Sequence, residues 1–105
     1  MKRTLSIQTA HCVNEKITVA GWVHSRRDHG GLIFIDLRDH TGLVQLVINP
    51  DKPEAFKLAE SLRDEFVIRA HGVVAERGEG LKNPNIASGN VEIVVEDLQI
   101  LNRAE

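Results

Sequence analysis

An aromatic side chain near two arginines carries most of the chemistry that this sequence suggests. The stretch Trp22–Asp39 reads WVHSRRDHGGLIFIDLRD, in which Arg27 precedes a Gly-Gly pair and Phe34 follows it. Successive side chains of a strand point to opposite faces, so Phe34 would lie opposite three aliphatic neighbours: Ile33, Ile35 and Leu37. A ring outside the core can stack on a single-stranded base while nearby cations hold the phosphates. The alternative is that Phe34 merely covers a sheet edge, and the spacing alone leaves both open.

Three further residues could join such a site. Gln45 points outward on the next predicted strand, and its amide offers a donor and acceptors to the edge of a stacked base. Glu92 and Arg77 would face the same groove if the strands close into a barrel. A carboxylate can accept hydrogen bonds from guanine, and a guanidinium suits phosphates and base edges. The alternatives are a solvated, charge-balanced hairpin and an exposed Glu92 without a partner.

The histidines and carboxylates show no spacing typical of a catalytic or metal centre. Five histidines match no zinc pattern, and the single Cys12 is remote from them: His11, His24, His29, His40 and His71. Asp36 and Asp39 would lie on opposite faces of a strand, which makes them a poor acid and base pair. The sequence also lacks a nucleophile elbow, a phosphate-binding glycine loop and an HExxH motif. We therefore expect no catalytic residue and no metal, and we interpret His29 as a loop side chain near bound nucleic acid.

Composition limits the classes of protein that need to be considered. The 105 residues suit one domain, and 42% hydrophobic with 27% charged residues is typical of an ordered globule. A net charge of −2 argues against nonspecific binding of nucleic acid through a large positive field. No apolar run approaches the length of a membrane span, and the N-terminus lacks the layout of a signal peptide. With a lone cysteine, these features favour a cytoplasmic setting.

Hydrophobic alternation predicts five strands: Lys16–His24, Leu32–Arg38, Leu43–Asn49, Phe66–Ala75 and Val91–Leu101. The period changes to that of an amphipathic helix over Glu54–Asp64, with Asp51 as its cap and Pro53 in its first turn. Gly21 predicts a bulge or a sharp coil in the first strand. Gly30 and Gly31 predict a tight turn between the first two strands.

The remaining segments complete a single domain over residues 1–105. Residues 1–15 are expected to lie over one end of it, residues 77–89 form one long loop, and residues 102–105 look like the start of a linker. Five short strands with a helix after the third are the layout of an OB-fold barrel, an all-β fold with one helix. An SH3-like barrel would lack the helix, and a ferredoxin-like sandwich would need a second one.

One long segment also resembles a known family. Gly21–Asp51 reads GWVHSRRDHGGLIFIDLRDHTGLVQLVINPD and closely resembles the N-terminal anticodon-binding domain of bacterial aspartyl-tRNA synthetases, which are class II ligases. The likeness continues through NPNIASGNVEI to the terminal ILNRAE. It implies an OB-fold that binds the anticodon loop of the aspartate tRNA. It further implies that the intact enzyme uses ATP and Mg²⁺ and works as a homodimer.

The resemblance also implies roles for individual residues. Phe34 corresponds to the ring that stacks on the central anticodon uracil, Gln45 to the side chain that reads its edge, and Glu92 to the residue that checks the first anticodon base. Four further positions are candidates for holding or contacting the loop: Arg27, Arg77, Asn83 and Asn85. Ala75 stands where the family often has a basic residue. His29 is shared with family members that also charge the asparagine tRNA.

The family's catalytic domain has three signature motifs without a counterpart in this sequence. We therefore expect a fragment of an aspartate–tRNA ligase that holds the recognition module without the chemistry of aspartate activation. Two alternatives from other classes remain. One is a stand-alone OB-fold module that binds single-stranded nucleic acid or a protein, and the other is a metal-dependent enzyme that uses the histidines.

Overall fold

Five strands close into a barrel around an aliphatic core. The computed structural model describes residues 4–77 and 89–102, and its elements follow in chain order: a 3-10 helix Ser6–His11, β1 Lys16–His29, β2 Leu32–Asp39, β3 Gly42–Ile48, α1 Pro53–Glu60, β4 Val67–Glu76 and β5 Val91–Asn102. Their order around the closed barrel is β1-β2-β3-β5-β4, in which only the β3–β5 pair is parallel. The predicted OB-fold, with its helix between the third and fourth strands, is confirmed.

Alternation along β2 separates the core from the outer surface. Its burial changes at every residue, with Ile35 fully buried while Phe34 and Asp36 are half-buried on the opposite face. Each strand contributes fully buried aliphatic side chains to the interior: Val19, Ile35, Leu46, Ile68 and Ile93. Burial of one such side chain contributes about 1.5–3 kcal/mol, so the core fixes which face of β2 is left for a ligand.

The first strand is longer than predicted and carries its bulge at a different residue. It continues past His24 to His29 because its second half pairs with β2 up to the hairpin turn. The register shifts between Val23 and Ser25, so the predicted bulge does not lie at Gly21. Gly21 instead allows a close approach of two strands, since a Cβ atom there would lie 2.2 Å from the carbonyl oxygen of Arg38.

A two-residue turn joins β1 to β2, as the glycine pair predicts. Gly30 and Gly31 both have positive φ, 61° and 81°, which is the backbone of a type I′ hairpin and which glycine adopts without steric cost. The turn fixes the register so that Arg27 pairs with Phe34 across the two strands. The local sequence thereby sets the first contact of the candidate site.

The helix is shorter than predicted and begins without the expected cap. Residue 52 is its N-cap, and no side-chain hydrogen bond caps it, so the assignment of Asp51 was wrong, whereas Pro53 does occupy the first turn. The helix ends at Glu60 rather than Asp64, and the guanidinium of Arg26 donates to its terminal carbonyls, those of Ala59 and Glu60, at 3.2 and 2.6 Å. Within residues 4–77 and 89–102, no helix is long and apolar enough to cross a membrane.

Candidate nucleic-acid interface

Strand pairing places the predicted site residues side by side on the outer surface. Across β1, β2, β3 and β5 the partners are Arg27 with Phe34, Asp36 with Gln45, and Gln45 with Glu92. The last pair depends on the parallel contact between β3 and β5, where the barrel closes. Residues that are far apart in the sequence therefore meet because the sheet is a closed barrel.

These side chains line one open groove of about 620 Å³. It is lined by Arg27, Asp28, His29, Phe34, Gln45, Arg77 and Glu92. Every predicted RNA-binding residue in the described part of the chain is thus found at this groove, while Asn83 and Asn85 lie outside the described residues. The open groove offers a base the ring of Phe34 to stack on.

Arg27 bridges the ring and the amide. Its guanidinium carbon lies over Phe34, 5.8 Å from the ring centroid, which is within the range of a cation–π contact. Its Nη2 donates to Oε1 of Gln45 at 3.0 Å and lies 3.5 Å from Oδ1 of Asp36. The long, half-exposed ion pair with Asp36 contributes little to stability, but it directs the guanidinium toward the amide.

Gln45 occupies the centre of the site and is more buried than predicted. It lies on the outer face of β3, yet only 8% of it is exposed, because Arg27 and Glu92 contact it from both sides. Its Nε2 donates to Oε1 of Glu92 at 3.0 Å. Glu92 is therefore not the unpartnered exposed strand residue of the alternative interpretation.

Arg77 supplies a second cation, held beneath the surface. It is 8% exposed, and its Nε donates to the carbonyl oxygen of Val91 at 2.9 Å. Burial lowers the pKa of Arg77 from its ordinary value, against the opposing effect of the carboxylates of Glu92 and Asp36. Arginine remains protonated at neutral pH despite such a shift, so the site keeps a fixed positive charge.

Asp28, which lines the groove, and Asp36 and Ser25 beside it were not among the predicted ligand contacts. Oδ1 of Asp36 lies 3.5 Å from Nη2 of Arg27, and the hydroxyl of Ser25 donates to Oδ2 of Asp36 at 2.8 Å. Ser25 lies two residues before Arg27 and Asp36 lies two residues after Phe34, so each shares a strand face with a predicted site residue. The strand period alone could therefore have identified Ser25 and Asp36. Arg26, by contrast, binds the end of α1 and pairs with Asp28 at 3.5 Å.

The histidines do not gather in the described structure. His71 contacts Thr18 through its Nδ1 at 3.1 Å, and only His29 lines the groove. Among residues 4–77 and 89–102, no group of three or more potential ligands could hold a metal ion.

The barrel and its groove define a class of protein. A closed five-stranded barrel that presents a ring, an amide and two guanidinium groups along one groove is an OB-fold of the nucleic-acid-binding type. Residues 17–101 match the tRNA anticodon family, described as an OB-fold nucleic acid binding domain. The chain belongs to this family of tRNA anticodon-binding OB-fold domains.

The relatives that this domain resembles are aminoacyl-tRNA synthetases. The chain is 58% identical over 91 residues to an aspartate–tRNA(Asp/Asn) ligase of Chlorobium phaeobacteroides. The matched residues make up 87% of this chain and 15% of that relative. It superposes with a TM-score of 0.82 and 25% identity on asparaginyl-tRNA synthetase of Pyrococcus horikoshii, covering 100% of this chain and 23% of that one. Aspartyl-tRNA synthetase of Entamoeba histolytica shares the fold, with a TM-score of 0.88 at 18% identity over 100% of this chain and 22% of that chain. The chain thus spans less than a quarter of the length of each of these relatives.

Proposed function

We propose that this domain is the anticodon-recognition module of an aspartate–tRNA ligase and that its groove binds the anticodon loop of the aspartate tRNA. The observation that carries the proposal is that Phe34, half-buried on the outer face of β2, and Gln45 on the adjacent strand line the same groove. The 58% identity to a ligase of this class supports it. The activity of the whole enzyme, which joins aspartate to tRNA with ATP and Mg²⁺, belongs to the same proposal, as do a homodimer and a cytoplasmic location.

Within the groove, one side chain would stack on the base and another would recognise the edge of that base. A base that stacks on Phe34 gains about 1–3 kcal/mol, and the neighbouring Gln45 can pair with its edge. Arg27 and Arg77 would hold the phosphates on either side. Because the binding energy arises far from aspartate activation, it can be used to select and orient the tRNA.

The proposal extends to the asparagine tRNA as a second ligand. The name of the Chlorobium relative gives tRNA(Asp/Asn) as its substrate. His29 lines the groove of this domain, at the position that resembles family members of relaxed choice. A domain that binds the anticodon loops of both tRNAs with similar affinity would support this extension.

Two substitutions test the proposed groove with a synthetic anticodon stem-loop of the aspartate tRNA. Phe34→Ala should weaken binding by about 1–3 kcal/mol through the lost stack, and Gln45→Ala should mainly relax the choice of base at one position. Trp22→Ala is the matched control, because Trp22 is a 39% exposed aromatic residue that does not line the groove. NMR titration gives the affinities. If neither groove variant changed binding while Trp22→Ala did, the groove would be wrongly assigned.

A further inference from the structure

Part of the groove is formed by a strand segment that has a strand neighbour on one side only. β4 pairs with β1 from Lys16 to Trp22, whereas residues 25–29 of β1, the outer segment, pair with β2 alone in the described part of the chain. A register shift between Val23 and Ser25 separates the outer segment from the rest of β1. Because a β-bulge bends and twists its strand, pairing with β2 by itself fixes the outer segment less firmly than a strand with two neighbours.

Arg26 supplies a second attachment for the outer segment, to the end of α1. Its Nη1 donates to the carbonyl oxygen of Glu60 at 2.6 Å and to that of Ala59 at 3.2 Å. The last carbonyls of a helix have no intrahelical partner and carry partial negative charge, so they favour a guanidinium group. Hydrogen bonds from a charged donor are also roughly twice as strong as neutral ones. The attachment is therefore well suited to its place.

α1 is a firm anchor because it is held on the barrel independently of the outer segment. Ala55 and Ala59 are its buried residues, and the helix packs mainly against β5. An open cleft of about 270 Å³ lies between α1 and the turn at Gly30 and Gly31. The turn therefore does not pack tightly on the helix, and the two hydrogen bonds of Arg26 bridge the helix and the outer segment.

Arg26 and Arg27 are neighbours, but successive side chains of a strand point to opposite faces. While Arg26 binds α1, Arg27 lies over the ring of Phe34 and donates to Gln45 at 3.0 Å. The usual range of such a bond is roughly 2.7–3.2 Å, so a shift of the outer segment by about 1 Å would break it. The place of Arg27 in the groove therefore depends on how firmly Arg26 is held.

We infer that Arg26 is a positioning residue for RNA binding: it fixes the outer segment of β1 to the end of α1 and thereby sets the place from which Arg27 reaches the RNA. The inference rests on the proposed function. It assigns no contact with a base or a phosphate to Arg26 itself. It also gives α1, which contributes no residue to the described lining of the groove, a part in the affinity for RNA.

A double-mutant cycle of Arg26→Met and Arg27→Met tests the inference, because it separates an effect that passes through Arg27 from one that does not. NMR titration measures the affinities of wild type, both single variants and the double variant for the anticodon stem-loop of the aspartate tRNA. Circular dichroism checks that each variant is folded. Arg69→Met is the matched control: it removes one positive charge from an exposed strand residue that donates to Gln99 and does not line the groove.

Arg27→Met should weaken binding about tenfold, which leaves the affinity of the double variant measurable. Arg26→Met should weaken binding about three- to fivefold in wild type, but by less than about twofold in the Arg27→Met background. Arg69→Met should change the affinity by less than about twofold, because a distant exposed charge is screened. An equal loss from Arg26→Met in both backgrounds would overturn the inference, since it would indicate direct contact with RNA or general damage. No loss in either background would also overturn it. A wild-type domain that does not bind the stem-loop would instead overturn the proposed function.

Discussion

Replacing Asp39 by Asn should destabilise the domain, because this carboxylate fixes the N-terminal segment to the barrel. Asp39 is 7% exposed and accepts four hydrogen bonds, two from Ser6 at 2.7 and 2.8 Å and two from Thr41 at 2.8 and 2.6 Å. The 3-10 helix that begins at Ser6 contacts β3. One buried carboxylate therefore orders both the turn between β2 and β3 and the segment that lies against it.

The size of the effect follows from these bonds. A hydrogen bond to a charged group contributes about 1.5–3 kcal/mol, against about 0.5–1.5 kcal/mol for a neutral one. Asparagine keeps one oxygen without the charge and turns an NH₂ group toward a donor. The loss is about 3 kcal/mol after allowance for bonds that are not additive. In a domain of this size that corresponds to a fall of roughly 15 °C in melting temperature.

The same network makes part of the stability depend on pH. Burial alone would raise the pKa of Asp39, but the hydrogen bonds from Thr41 and Ser6 outweigh it and lower the pKa from the ordinary 3.8. A carboxylate with a lowered folded pKa stabilises the fold fully above its unfolded pKa, and that contribution is lost as the pH falls through the folded value. The stability difference between wild type and Asp39→Asn should therefore be constant near neutrality and shrink below about pH 4.

Urea unfolding followed by circular dichroism, at a series of pH values, measures this difference. Asp51→Asn is the matched control: the structure shows no cap formed by its side chain, so its change should stay within about 0.5 kcal/mol. Equal stabilities of wild type and Asp39→Asn at pH 7 would refute the assigned network. A difference that grew on acidification would refute the direction of the pKa shift.

Two further predictions concern close packing and the helix end. Gly72→Ala should lower the free energy of unfolding in urea by about 2 kcal/mol or more, because the new Cβ would lie 2.2 Å from the backbone oxygen of Val94. Gly30→Ala, whose Cβ would meet no atom within 4 Å, should lower it by only about 1 kcal/mol, because Gly30 has a positive φ. Arg26→Met should lower the free energy of unfolding by about 1 kcal/mol through the lost helix contacts and should weaken stem-loop binding less than Arg27→Met. A larger loss of RNA binding in the Arg26 variant would contradict its assignment to the helix.

Sequence patterns identified the strand segments that bury one face and missed the segment that buries neither face. Ile33, Ile35 and Leu37 mark β2 by strict alternation, and its predicted end differs from the observed one by a single residue. The part of β1 after His24 carries only half-buried or exposed side chains, so no hydrophobic period marks it, and this part pairs with β2. The end of α1 was also predicted wrongly. Its last carbonyls accept hydrogen bonds from Arg26, a residue of another element, and the local sequence of the helix does not contain that contact.

The residues of the candidate site were predicted from the sequence, but the contact between Gln45 and Glu92 was not. Phe34 could be recognised from alternation within a single strand. The bond between Gln45 and Glu92 joins residues 47 positions apart and exists only because β3 and β5 pair in parallel where the barrel closes. No local pattern encodes that contact, and the burial of Gln45 follows from it.

Charge balance in the groove explains how a chain with a net charge of −2 could recognise RNA selectively. The positive charges of Arg27 and Arg77 are offset locally by the carboxylates of Asp36 and Glu92, so the groove has little unbalanced charge with which to attract any polyanion. Affinity must then come from stacking and from hydrogen bonds of fixed direction, which depend on the base. The carboxylates that weaken general attraction also position the arginine and the amide. Under the proposed function, low nonspecific affinity and base choice would therefore have the same structural origin.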